Sequence, residues 1–143
     1  MLFPLEFYLP GTPISLQASA VSRKRWKNEV REAARQRVQE SVEWAYLDEG
    51  AVALAIYYFP TTPMIGDIDN SVKPIMDALT GVAYLDDQFV ERVVAQRFEP
   101  GAGWTFAEPS EQLAAALNTI AASDNPTPLV YVRADNDLSW RTL

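Results

Sequence analysis

The chain contains neither cysteine nor histidine. The first absence removes disulfides, thiolate metal sites and cysteine nucleophiles, and fits a protein of the reducing cytoplasm. The second removes serine-histidine triads, histidine-bearing zinc sites and histidine-metal nucleases. Any chemistry must therefore run on carboxylates, lysine, arginine or hydroxyls, with hard cations such as Mg²⁺ or Mn²⁺ as the natural cofactors. Long apolar runs are also missing: none approaches the roughly 20 residues of a membrane helix. The start, Met1-Leu2-Phe3-Pro4-Leu5-Glu6, lacks the basic residues and apolar stretch of a signal peptide, so a cytoplasmic protein with no membrane partner is expected. Positive charge is scarce too. Nineteen acids against twelve bases leave a net charge of −7, which repels nucleic acid at long range. A nucleic-acid contact would require its bases to be concentrated locally.

What is present suits one folded domain over residues 1–143, long enough for a core and ordinary in its 48% apolar content. A strand is predicted over Leu5–Leu9, ended by Pro10-Gly11-Thr12-Pro13. Trp26, Val30, Ala33, Ala34, Val38, Val42 and Ala45 recur at helical spacing, predicting a helix over Ser22–Tyr46 with Ser22 as N-cap. Ala51–Phe59 is an unbroken apolar run, as in a strand buried on both faces. A short helix over Asn70–Leu79 stops at Gly81, with Pro74 near its first turn. A strand over Val90–Phe98, a helix over Pro109–Ala122 and a strand over Leu129–Arg133 follow, and Asn136–Leu143 are expected to fray. The alternation predicts an α/β (α+β) domain: one mixed sheet packed with helices.

The chemistry concentrates between Gly66 and Asp87. Asp67 and Asp69 point to the same side of an extended chain, and Asp69 is placed to cap the following helix. Lys73 and Asp77 share a helix face. Gly81 lets the chain turn back, so Asp86-Asp87 can return beside the first pair. Two carboxylates at about 5 Å repel by roughly 3 kcal/mol at an effective dielectric of 20, a penalty that a divalent cation removes. Each part has a plain reading as well: a cap and a solvated loop residue, a turn, a surface ion pair. A calcium loop of the EF-hand type is excluded, since the sixth position from Asp67 is Val72 and the twelfth Ala78. On the long helix, Arg23, Lys27, Arg31 and Arg35 recur every four residues, and Arg23-Lys24-Arg25 adds density at its start. They form either a local track for phosphates or the solvated flank of an amphipathic helix, with Trp26 in the core or a dimer contact.

The block Gly66-Asp67-Ile68-Asp69-Asn70-Ser71-Val72-Lys73, then Asp77-Ala78-Leu79, then Tyr84-Leu85-Asp86-Asp87, resembles the signature of the RusA family of Holliday-junction resolvases. Pro10-Gly11-Thr12-Pro13-Ile14-Ser15 ahead of a basic helix resembles the family's N-terminal segment. The resemblance covers about two-thirds of the chain and implies a homodimeric endonuclease that cuts four-way DNA junctions with Mg²⁺, or Mn²⁺ in its place. It implies Asp67, Asp69 and Asp87 as catalytic metal ligands, Asp86 as a further metal ligand, and Lys73 as the catalytic lysine. The DNA would lie on Arg23, Lys24, Lys27, Arg31 and Arg35. Family members tend to be basic, whereas this chain is acidic, and Thr61-Thr62-Pro63-Met64-Ile65 before the aspartates is uncharged. Residues 100–143 read as a more divergent C-terminal part. Other branched nucleic acid as substrate, or a binding module that does not cut, are the competing readings.

Overall fold

In the computed structural model the described residues are 2–13, 18–41, 47, 50–63 and 68–142. The order is β1 (Leu5–Pro10), α1 (Ala20–Ser41), β2 (Val52–Phe59), α2 (Val72–Leu79), β3 (Val90–Arg97), α3 (Glu111–Ala121) and β4 (Leu129–Asp135). Short 3-10 turns at Asp69–Ser71, Asp87–Phe89 and Ser139–Arg141 punctuate it. The expected sequence of elements and the mixed sheet are both present. The four strands lie in the order β1-β4-β2-β3. β4 runs antiparallel to both neighbours, and β2 pairs parallel with β3. The last strand in the chain therefore sits inside the sheet, between β1 and β2.

Alternation along the strands divides the core. Leu5, Phe7 and Leu9 of β1, Val52, Leu54 and Ile56 of β2, and Val130, Val132 and Ala134 of β4 join Trp26, Val30 and Ala34 of α1 and Ile75, Ala78 and Leu79 of α2. On the other face Phe59, Leu129 and Tyr131 pack with Leu113 and Ala116 of α3, flanked by Tyr57, Phe98 and Phe106. The expectation that β2 is buried on both faces holds only in part. Ala53 and Ala55 are half-buried and border an open hollow of about 480 Å³ with Arg92, Arg133, Asp135 and Trp140. α3 packs on β1 and β4 and leaves that end of the face to solvent.

Several boundaries differ from the sequence reading. α1 begins at Ala20, and the Ser22 N–H donates to the Ser19 hydroxyl at 3.2 Å, so Ser19 is the cap and Ser22 lies inside the helix. The predicted end of that helix, residues 42–46, lies outside the described residues. Pro74 falls in the first turn of α2, fully buried. Gly81 stops α2 with φ +84°, its N–H donating to the Tyr84 carbonyl at 2.7 Å. The C-terminal residues expected to fray form the turn Ser139–Arg141, where Arg141 pairs with Glu91. Among the described residues no helix is long and apolar enough to cross a membrane.

Candidate active site

α2 connects β2 to its parallel neighbour β3, and this crossover positions the site. An eight-residue amphipathic helix seats Ile75, Ala78 and Leu79 in the core, which turns Lys73 and Asp77 outward on one face. The Lys73 ammonium meets the Asp77 carboxylate at 2.9 Å. It also donates to Asp87, on the turn leading into β3. The chain turns back at Gly81 and brings Asp87 over α2, where it meets Lys73; the described residues do not include a meeting of the second aspartate pair with Asp69. Asp86 caps the Asp87–Phe89 turn, its carboxylate accepting from the Gln88 N–H at 3.0 Å.

Electrostatics follow from this contact. Asp87 is held below its ordinary range by the Lys73 hydrogen bond first and by Asp86 second. The Lys73 pKa moves up, through Asp87 and then Asp77. Behind them Tyr84 is almost fully enclosed, its hydroxyl donating to the Met76 carbonyl at 2.6 Å. Burial, then the charges of Asp87 and Asp77, push that hydroxyl's pKa up. Tyr84 is therefore a neutral prop under α2. Its position in the motif was visible, but nothing in the sequence marked its role.

Asp69 does not cap the helix. It opens the 3-10 turn, and the cap positions at Ile68 and Ser71 make no side-chain cap bond. Its carboxylate is exposed and makes no hydrogen bond or ion pair with the described residues. Asp67 lies outside the described residues. Among the described residues no three carboxylates gather closely enough to hold a metal ion by themselves. The donor chemistry nevertheless fits a hard divalent cation. The candidate ligands are all carboxylate oxygens, and where Asp77 and Asp87 converge a positive charge, the Lys73 ammonium, already offsets them.

The basic residues of α1 separate into groups. Arg23, Lys24, Lys27 and Arg31 line a groove of about 430 Å³ whose opposite wall is Pro74 and Asp77 of α2. Four of the five predicted contacts thus border one groove, which Asp77, the partner of Lys73, also lines. Arg35 instead borders a hollow with Leu2, Val38 and Gly81. Arg31 is structural as well. Its guanidinium donates to the Ala78 carbonyl at 3.0 Å and the Asp77 carbonyl at 3.2 Å, satisfying the end of α2. Trp26 is buried in the core, its ring lying against Gly11.

The family model described as endodeoxyribonuclease RusA matches residues 17–103, which include α1, both aspartate pairs and Lys73. A search of curated proteins returns no match. The matched segment spans more than half of the chain and contains the groove and the carboxylate site alike, so the chain belongs to the RusA family of endodeoxyribonucleases.

Proposed function

We propose that this protein is a metal-dependent, structure-selective endodeoxyribonuclease that cuts four-way DNA junctions as a homodimer, by paired phosphodiester hydrolysis. The observation that carries the reading is that Lys73 meets Asp87 and also pairs with Asp77, which lines a groove with Arg23, Lys24 and Lys27. Phosphate contacts along such a groove fix the register of a nucleic-acid strand without reading its sequence. They also concentrate positive charge that the whole molecule lacks.

Asp67, Asp69 and Asp87, with Asp86 beside them, would hold Mg²⁺ or Mn²⁺, which when bound supplies charge for activating water and stabilising the leaving oxygen. The residues do the positioning. An ammonium has three donors. Asp77 and Asp87 use two on Lys73, leaving one for a non-bridging phosphate oxygen. Arg31 and Tyr84 hold α2, and so Lys73, in place. A twofold dimer would present two such sites to the symmetric strands of a junction.

The test is cleavage of labelled four-way junction, flap and linear duplex with Mg²⁺, Mn²⁺ or EDTA, beside Asp69→Asn. Paired, metal-dependent nicks in the junction, absent from the variant, are expected. Cutting of flap or duplex instead would move the substrate to other branched or linear DNA. Binding without cutting would leave a non-catalytic module. Independently of activity, millimolar Mg²⁺ should raise the melting temperature, because a ligand of the native state stabilises it. Asp69→Asn should remove that rise.

A further inference from the structure

The groove between α1 and α2 holds one residue of the wrong sign for a phosphate track. Arg23, Lys24, Lys27 and Arg31 line it from α1, and Pro74 and Asp77 line it from α2. Among the described residues Asp77 is the one acid on its walls. A carboxylate beside bound phosphates repels them and weakens the attraction that the four bases supply. An asparagine has the same shape and would leave phosphates undisturbed. The charge of Asp77 therefore serves something other than the groove.

Its partners show what that is. Pro74 and Asp77, three residues apart, share a ridge of α2, and the Asp77 carboxylate takes the Lys73 ammonium at 2.9 Å. Lys73 is not itself among the residues that line the groove. The backbone of Asp77 is anchored as well. Its carbonyl accepts from Arg31 of α1 at 3.2 Å and from the Thr80 N–H at 3.3 Å. One residue thus joins the helix that carries the bases to the ammonium that meets Asp87. A lysine is a point charge on a flexible four-carbon stem, and Lys73 is exposed. Tied to one carboxylate it could swing about that contact. Two carboxylates, one on α2 and one on the turn before β3, fix its direction.

We propose that Asp77 is a positioning residue that lowers nucleic-acid affinity in order to orient Lys73. This rests on the nuclease reading for the chemistry of Lys73, and on the groove for the effect on binding. Removing the charge then moves two quantities in opposite directions. Phosphates meet less repulsion and bind more tightly, while the ammonium loses one of the two contacts that aim it. A residue needed only for folding would weaken binding and cleavage together. A surface charge without a role would leave cleavage of bound DNA unchanged.

The test uses the full chain and a labelled four-way junction, with a flap in parallel. In EDTA, the Kd of Asp77→Asn should be about two- to fivefold lower, the range of a single partly exposed charge interaction. In Mg²⁺, with protein in excess so that all DNA is bound, its cleavage should be about tenfold slower or more, as for misplaced groups. Asp77→Glu restores the charge; it should return the Kd to that of the unmodified chain and recover part of the rate. Glu32→Gln removes an acid of α1 that does not line the groove, and should move the Kd less than Asp77→Asn does. With Lys73→Met as the background, Asp77→Asn should tighten binding further than it does alone, because the ammonium no longer offsets the carboxylate. Unchanged or weaker binding by Asp77→Asn, or unchanged cleavage, would overturn the proposal and leave the nuclease reading standing. An unmodified chain that binds the DNA and cuts none of it would overturn the nuclease reading, and the orienting role with it.

Discussion

Lys73 answers two carboxylates from different elements, and the sign of its effect on acid stability can be worked out. Asp87 titrates below its ordinary value of 3.8 because Lys73 donates to its charged form. The stabilisation it contributes is therefore complete above the ordinary carboxylate range and is lost as the pH falls through the lowered midpoint. In Lys73→Met the Asp87 midpoint, followed by NMR, is expected to rise, since the larger of the two hydrogen bonds that lower it is gone while the one from Asp86 stays. An unchanged midpoint would break the link between the two residues. Much of this site was legible at the residue scale. The spacing of Asp69, Lys73, Asp77 and Asp87 placed the last three around one helix, because helical period and a glycine stop are local properties. The capping role given to Asp69 failed, since a 3-10 turn intervenes before α2 begins.

At the scale of elements, α1 and α2 are joined by more than apolar contact. Arg31 crosses to the last turn of α2 and donates to the Ala78 carbonyl and to the Asp77 carbonyl, which also accepts from the Thr80 N–H at 3.3 Å. Arg31→Met keeps much of the side-chain stem and removes the donors. It should cost about 2 kcal/mol, in the range of hydrogen bonds from charged groups, seen as a lower urea midpoint with an unchanged slope. No loss of stability would mean that water replaces the guanidinium. The sequence marked Arg31 only as one of a series at four-residue spacing. Its acceptors lie 46 and 47 residues away, and no local pattern reports a tertiary cap. The same reason separates Arg35 from its series: a row of bases follows the helix, whereas α2 crosses only part of it.

On the scale of the whole molecule, the family match and the fold do not share a boundary. The matched residues 17–103 contain neither β1 nor β4. Yet β4 bonds to β1 along one side and β2 along the other, with Val130 and Val132 fully buried. Residues 100–143 therefore supply the strand that unites the sheet. A chain ended after Gly103 is expected to lose cooperative thermal unfolding, because β1 joins β2 in the sheet only through β4. A sharp calorimetric transition in that fragment would show that α1, α2 and the β2–β3 pair suffice. From sequence, each strand was visible through its apolar content, but the order was not. Alternation says which face of a strand is wet, and says nothing of which strand is its neighbour.

The inside position of β4 bears on how the protein is born. Synthesis makes β1 and β2 early and must then lay down α2, β3 and α3 before the strand between them exists. At about 5–20 residues per second, the wait from β2 to β4 lasts several seconds. Throughout it, β1 and β2 carry unmatched amides on the sides that β4 will join, and the apolar faces prepared for the core lie open to neighbouring nascent chains. The hazard of mispairing is thus set by the pace of translation, and it ends only when the final strand emerges.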